Sequence, residues 1–318
     1  MRRKAVVILP GYADHSIERA GLAPFGLSVD ELDWNGDRAA MADGVRDAEI
    51  VFVRDVPLDA SVIAAMERCR GIVRYGVGVD TIDLVAARSR GIVVTRVPNY
   101  GAEVEVADHT LALFLAVRRR IVSRDRDVRK GAWLVGQAEP IARIAGSTAG
   151  MIGFGRIGQA VAHRLRSFGV RRFLVHDPYL KPEGLPADAT LVDLARLAQE
   201  SDLVTLHAPA TAENRHIIDA AFLARVKPGA ILVNTGRGPL INEQDLAAAL
   251  KDGRLLGAGI DVFETEPPLR SPLLAAPNVV LSDHAAWYSE ATVENLQRGA
   301  LEQAVQILET GTASERVN

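Results

Sequence analysis

The stretch "TAGMIGFGRIGQAVAHRLRSFG", Thr148 to Gly169, decides how the rest of the chain is read. An apolar run ends in Gly153-Phe154-Gly155-Arg156-Ile157-Gly158, and an amphipathic segment follows with Val161, Ala162, Leu165 and Phe168 on one face. A strand that turns on glycines into a helix opens a nucleotide-binding βαβ unit. Gly153 allows the tight turn, Gly155 lets backbone approach a pyrophosphate, and Gly158 lets the helix pack on the strand. The helix start, Arg156 and Ile157, offers oriented N–H groups and a positive dipole end to phosphates. Such turns are common singly. Weight comes from Asp177 in "FLVHDPYL", nineteen residues past Gly158, where the next apolar run ends. A carboxylate there accepts both hydroxyls of an adenosine ribose and repels a 2′-phosphate, and no Arg or Lys follows within three residues to offset that. NAD is therefore expected in preference to NADP.

Working outward, short β-branched runs alternate with amphipathic segments throughout, the pattern of parallel sheets. Thr148–Ile152, Arg172–His176, Leu203–Leu206, Ala230–Asn234, Leu256–Ile260 and Val279–Leu281 predict six strands, the dinucleotide-binding count. Ahead of them, Ala5–Leu9, Ser28–Leu32, Ile50–Val53, Ile72–Tyr75 and Ile92–Val97 predict five, which suits a flavodoxin-like order. The expected fold is α/β, with two doubly wound parallel-sheet domains. Residues 1–101 plus 287–318 would form a flavodoxin-like substrate domain, and 102–286 a Rossmann NAD-binding domain. "RVPNYG" and "SDHAAW" mark the crossings, because strands stop there and long helices start. Glu103 to about Lys130 lacks Pro and Gly and predicts one long helix, with Val106, Thr110, Leu113, Phe114 and Val117 inward. Its basic end after Arg118 reads as a solvated face or an oligomer rim. Ser289 to Thr310 predicts a last helix.

Composition excludes several classes. The 318 residues carry a net charge of −3, with 32 Arg against 5 Lys, so nothing pulls the chain toward nucleic acid or an anionic membrane. The apolar run in "MRRKAVVILPGYADH" is too short for a signal peptide, and no window reaches the length of a membrane span. The lone Cys69 excludes an intramolecular disulfide and a Cys-cluster metal site, and it fits a reducing cytoplasm. No metal is expected.

Three polar residues stand where strands of the second series end. Arg237 lies between Gly236 and Gly238 in "GAILVNTGRGPLINE", Glu266 in "GIDVFETEPP", and His284 after "VVLSD". Each alone could be a surface arginine, a turn glutamate or a loop histidine. Ligands of open α/β sheets bind beyond the carboxyl ends of strands, so the three can converge. Arginine holds a carboxylate and carbonyl as a planar two-pronged donor. Histidine can deliver a proton to a keto oxygen, and a neighbouring carboxylate stabilises imidazolium and fixes the ring. This is equipment for reducing a 2-keto acid. The glycines beside Arg237 are expected to clear space for substrate and nicotinamide.

At this point the chain resembles the D-isomer-specific 2-hydroxyacid dehydrogenases, phosphoglycerate dehydrogenase-like enzymes, over nearly its whole length. The matching pieces are "RYGVGVDTID", "MIGFGRIG", "VHDPYL", "LVTLHAPAT", "LVNTGRGPLINE", "GAGIDVFETEP" and "SDHAAW". The resemblance implies Arg237, Glu266 and His284 as the catalytic set, together with homodimers and hinge closure. It places Asp261 on the nicotinamide carboxamide and Ala208 and Pro209 beside the adenine, and it extends the cofactor contacts to Thr235, Gly236, Arg237, His284 and Ala286. "HAAWYSE" and the ending "RVN" are similar to the C-terminal binding protein branch, which includes transcriptional corepressors.

At the substrate end, Arg74 and the N–H groups of Val77 and Gly78 in "RYGVGVD" could clamp a carboxylate, since Gly76 and Gly78 allow close backbone approach. Trp287 could wall the substrate side chain, which favours an apolar or aromatic 2-keto acid; Tyr12, Arg54 and Tyr100 are candidates by position. The leading expectation is an NAD-dependent 2-keto acid reductase. The alternative is an NAD(H)-sensing interaction protein with little turnover, and the chain's end soon after its last helix favours the enzyme.

Overall fold

The computed structural model describes residues 3–9, 11–133 and 141–318. The chain divides into two compact units, residues 1–102 with 289–318, and residues 103–288.

In the first unit, β1 (Lys4–Ile8), β2 (Ser28–Leu32), β3 (Ala48–Val53), β4 (Gly71–Arg74) and β5 (Val93–Thr95) form an all-parallel sheet in the order β2-β1-β3-β4-β5. This is the flavodoxin-like order. All six residues of β3 are buried, the signature of a strand covered on both faces. The helix Glu290–Thr310 lies in this unit, started by a Ser289–Thr292 capping box and ended by Gly311 at φ 78°. It buries Leu296, Ala300, Ala304 and Ile307, and Gly71 makes room for Ile307, whose Cδ1 would lie 2.5 Å from a Cβ there.

The second unit holds β6 (Thr148–Ile152), β7 (Arg172–His176), β8 (Ala189–Leu191), β9 (Leu203–Leu206), β10 (Ala230–Asn234), β11 (Leu255–Ile260) and β12 (Val279–Leu281). Their order is β12-β11-β10-β9-β6-β7-β8, all parallel. Six strands were expected and seven occur. The extra one, β8, is a three-residue edge strand with no buried residue, paired only to β7, so it carries no apolar run to betray it.

Two further expectations are corrected. The long helix is two, Ala102–Arg118 and Ile121–Arg129, with Arg120 between them at φ 55°. The first sits close on β11, where Gly257 and Gly259 admit Val117 and Leu113. Its five predicted inner residues are all buried. Burial ends with Arg118, whose guanidinium lies over the Phe114 ring, and Ile121–Arg129 buries nothing. Past that point the core no longer dictates the chain's direction. Phe168 is also not an inner residue: Val161, Ala162 and Leu165 are buried, but Phe168 follows the helix end and is 41% exposed.

Candidate active site

The sheet order reverses between β6 and β9, the crevice in which open α/β sheets bind ligands. The glycine turn stands there. Gly153, at φ +86°, would place a Cβ 2.8 Å from Ala208 N and from the His207 carbonyl carbon, so the turn runs against the exit of β9, with Pro209 exposed beyond it. A Cβ on Gly158 would meet Gly153 O at 2.6 Å, which is how the helix Arg156–Ser167 seats on its strand. A Cβ on Gly155 would meet no atom within 4 Å. Gly155 caps the helix without a side chain, so no side-chain cap takes up the first-turn amides beside the exposed Arg156 and half-buried Ile157. Asp177 is fixed on both oxygens: Phe154 N donates to Oδ2 and Tyr179 N to Oδ1, each at 3.0 Å. It is a turn aspartate, and it is also tied to the glycine loop. Each oxygen keeps acceptor capacity. An open glycine cradle at a helix start and a fixed carboxylate fit an adenine dinucleotide.

The next strands bring the polar residues to one edge. Asn234 of β10 pairs with Ile260 of β11, and Ile260 with Leu281 of β12, so the loops carrying Arg237, Asp261 and His284 leave the sheet side by side. Asn234 is fully buried and shapes the first loop: its Oδ1 accepts from Gly236 N at 3.0 Å and its Nδ2 donates to Arg237 O at 2.9 Å. Thr235 Oγ1 lies 2.8 Å from Thr110 Oγ1. Arg237 Nη1 donates to Gly236 O at 2.8 Å. The expected purpose of the glycines is corrected here. A Cβ on Gly238 would fall 1.9 Å from the Phe263 carbonyl, and one on Gly236 would fall 3.1 Å from Leu206 O. The room they make is taken by the chain's own backbone, which brings the Arg237 loop against the segment leading to Glu266.

Glu266 and His284 meet directly. Glu266 Oε2 lies 2.7 Å from His284 Nδ1, and Oε1 accepts from Phe263 N at 3.0 Å. An ionised carboxylate only accepts, so Nδ1 carries the hydrogen, and Nε2 has no hydrogen-bond partner among the described residues. His284 has φ 57°, a left-handed conformation uncommon for a side-chain-bearing residue. Asp261 holds it there. Its carbonyl accepts from His284 N at 2.8 Å, Oδ1 from Ala285 N at 3.0 Å and Oδ2 from Ala286 N at 3.0 Å. Three successive amides on one aspartate over-determine the loop.

The resemblance put Asp261 on the nicotinamide. The structure commits its fully buried carboxylate to this clamp, which Ser282 Oγ completes at 2.6 Å, with His109 Nε2 3.5 Å away. Sequence reasoning missed His109 and Ser282, and Asn234 as well. No local pattern exposes the first pair, whose members are 173 positions apart. A polar residue closing the apolar run Ala230–Val233 could have flagged Asn234. Trp287 packs its ring edge-on to Tyr288, 5.7 Å away. Among the described residues no group of three or more His, Cys, Asp or Glu side chains gathers as a metal site, and no helix is long and apolar enough to cross a membrane.

Within the first unit, Arg74 ends β4 and Val77 and Gly78 follow it. Arg74 Nη2 donates to Asp55 Oδ1 at 3.0 Å, and Asp55 also receives Arg54 Nε. A Cβ on Gly76, at φ +123°, would lie 1.7 Å from Arg74 Nη1, so the guanidinium folds over this glycine. Val77 is exposed. Tyr12 stands edge-on to Tyr75, and Tyr100 O accepts from Asn295 Nδ2 at 3.1 Å.

Residues 111–286 match the family described as "D-isomer specific 2-hydroxyacid dehydrogenase, NAD binding domain". A glyoxylate reductase of Korarchaeum cryptofilum is 42% identical over 275 residues, 82% of each chain. A D-3-phosphoglycerate dehydrogenase of Methanocaldococcus jannaschii is 37% identical over 86% of this chain, which spans 52% of that longer protein. The crystal structure of the TT0316 protein from Thermus thermophilus superposes with a TM-score of 0.88 at 36% identity, covering 99% of this chain and 100% of that one. The named relatives are enzymes, so the interaction-protein alternative is not favoured. With its glycine turn, the Asp177 carboxylate and the His–Glu pair in place, the chain belongs to the D-isomer-specific 2-hydroxyacid dehydrogenase family of NAD-dependent oxidoreductases.

Proposed function

We propose that the chain works mainly as a reductase of small 2-keto acids, with Arg237, Glu266 and His284 as its catalytic set. Bound NADH supplies the hydride that the keto carbon receives. The chain's own residues do the rest. Arg237 grips carboxylate and keto oxygen, and His284 gives that oxygen the proton from Nε2. Glu266, on Nδ1, fixes the tautomer and offsets the charge of the imidazolium that gives the proton up. Asp261 positions the whole loop. Asp177 takes the adenosine ribose, and Gly153, Gly155, Arg156, Ile157, Gly158, Ala208, Pro209, Thr235, Gly236 and Ala286 line the rest of the dinucleotide's path. Arg74 and the amides of Val77 and Gly78 receive the substrate carboxylate, and Trp287 faces its side chain.

The observation that carries this reading is the 2.7 Å contact between Glu266 Oε2 and His284 Nδ1, in a loop held by Asp261. Ile121, Val122, Val128 and Trp133, each more than half exposed, support pairing of two chains as a homodimer. The lone Cys69 suits the cytoplasm.

The test is cofactor oxidation by the purified protein against 2-keto acids from glyoxylate to phenylpyruvate, with NADH and NADPH, and with product chirality and solution mass determined. A D-product, NADH preferred, and twice the chain's mass are expected. NADH binding without turnover on any of these acids would overturn the assignment.

A further inference from the structure

Beneath the loop that follows β4 lies a buried polar network that the reaction chemistry does not use. Glu18 is fully buried, yet among the described residues no cation is bonded to it. Tyr75 OH donates to its Oε1 at 2.6 Å, and Gln297 Nε2 donates to its Oε2 at 3.1 Å. Gln297 Nε2 also reaches Asp14 O at 2.7 Å. Three elements are thereby tied together: the helix Ser16–Leu22, the exit of β4 and the helix Glu290–Thr310. A carboxylate is an expensive way to fill a core, and an apolar side chain of similar size commonly gives equal or better stability. Its use here points to a geometric demand.

Tyr75 is where that demand is met. It lies between Arg74 and Gly76, with its ring stacked on Phe52 at 5.7 Å and edge-on to Tyr12 at 5.3 Å. Its backbone N–H donates to Val53 O at 2.8 Å, and Gly76 O accepts from Val97 N at 2.9 Å. Burial raises the phenol well above its usual value, so it remains a donor. Side chains alternate along extended backbone, so anchoring Tyr75 inward turns Arg74 outward, over Gly76.

We propose that Glu18, Tyr75 and Gln297 are positioning residues that hold Arg74 and the Val77 and Gly78 amides in the geometry that receives the substrate carboxylate. This rests on the 2-keto acid reading above. The set touches neither the hydride path nor the proton path. It should therefore govern substrate binding and leave the chemical step alone.

Kinetics and hydrogen exchange on Tyr75→Phe, Glu18→Leu and Glu18→Gln test it. Tyr75→Phe and Glu18→Leu should raise KM for the keto acid about tenfold with kcat and NADH affinity unchanged, and should speed amide exchange in residues 74–80. Glu18→Gln keeps an acceptor for the Tyr75 hydroxyl but sets an amide N–H against Gln297 Nε2, so its KM should fall between those of wild type and Glu18→Leu. The double variant Tyr75→Phe with Glu18→Leu guards against a folding artefact, since it removes the buried donor together with its acceptor and should hold Tm. Unchanged KM and unchanged exchange in both disruptive variants would overturn the proposal. Faster exchange in a protein that reduces no keto acid would support the positioning role and sink the reductase reading instead.

Discussion

The second unit contains two histidine–glutamate pairs built alike, and the proposed function assigns chemistry to only one. His284 meets Glu266 at 2.7 Å, and His216 meets Glu264 at 2.8 Å. Both histidines are left-handed, at φ 57° and 54°. Exposure does not separate them either: the side chains are 36% and 37% exposed in the first pair, 30% and 24% in the second. Connectivity does. Glu264 is shared with Arg215 at 3.0 Å and with Glu243 N at 3.1 Å, and Glu243 in turn takes Glu264 N at 2.7 Å and the Ser271 hydroxyl. Burial pushes the Glu264 carboxyl up, but His216, the Glu243 amide and Arg215 outweigh it and hold the group below the usual carboxylate range. That carboxylate is a structural clasp. Glu266 engages Nδ1 of an imidazole whose loop is fixed by main chain, and in the proposed function Nε2 faces the substrate.

The sharpest break of this likeness is to delete each ring. His284→Ala should lower kcat/KM for the keto acid by about 10³-fold with NADH affinity little changed. His216→Ala should leave kcat/KM within about twofold while Tm falls by about 2–4 °C. Steady-state kinetics with calorimetry on both variants decides it. Equal losses of activity would mean that the two pairs share one function.

The carboxylates come next. Glu266 accepts from both His284 Nδ1 and Phe263 N, and a glutamine has one acceptor oxygen. Glu266→Gln therefore sets an amide N–H against one of them, and kcat/KM should drop by about 10²-fold with KM nearly unchanged. Glu264→Gln should cost stability alone. A rise in KM with normal kcat in Glu266→Gln would move that residue from the proton path to substrate binding.

This asymmetry also explains what the amino-acid order could disclose. Glycine turns and apolar runs are local, so β6, β7, β9 and β10 were legible to the residue, and Asp177 could be proposed for the ribose from its distance to Gly158. Arg237, Glu266 and His284 could be proposed because strand exits predict where side chains gather. The clamp could not: Asp261, Ser282 and His109 are linked only once β11, β12 and the helix Ala102–Arg118 pack together. The end of that helix at Arg118 was hidden for the same reason, since no Pro or Gly marks it. Gly238 shows the converse error. Its freedom was visible and its beneficiary was not, because the Phe263 backbone arrives from twenty-five positions away.

A third histidine completes the contrast, with no carboxylate bonded to it among the described residues. His207 follows β9 with Nε2 3.0 Å from Thr205 Oγ1, while Nδ1 is shut from water with no partner among the described residues. Burial pushes its imidazole down to about 3. The unfolded chain, with a value near 6.5, takes up this proton first, so the stability contribution is complete above about pH 6.5 and is lost as pH falls toward 3. At pH 5 the loss is about 2 kcal/mol, from 1.5 units at about 1.4 kcal/mol each. The Glu264 contribution runs over a separate window: its carboxyl is held low, so its stabilisation is present above the ordinary value near 4.3 and fades only below that. Acid sensitivity between pH 7 and pH 5 should thus belong to His207. Calorimetry across that range should show wild-type Tm falling more steeply than that of His207→Asn, which keeps a polar group and cannot ionise. Parallel curves would mean that His207 gains solvent or a partner before the fold opens, and the difference between a histidine paired with a carboxylate and one bonded only to a hydroxyl would then carry no energetic weight.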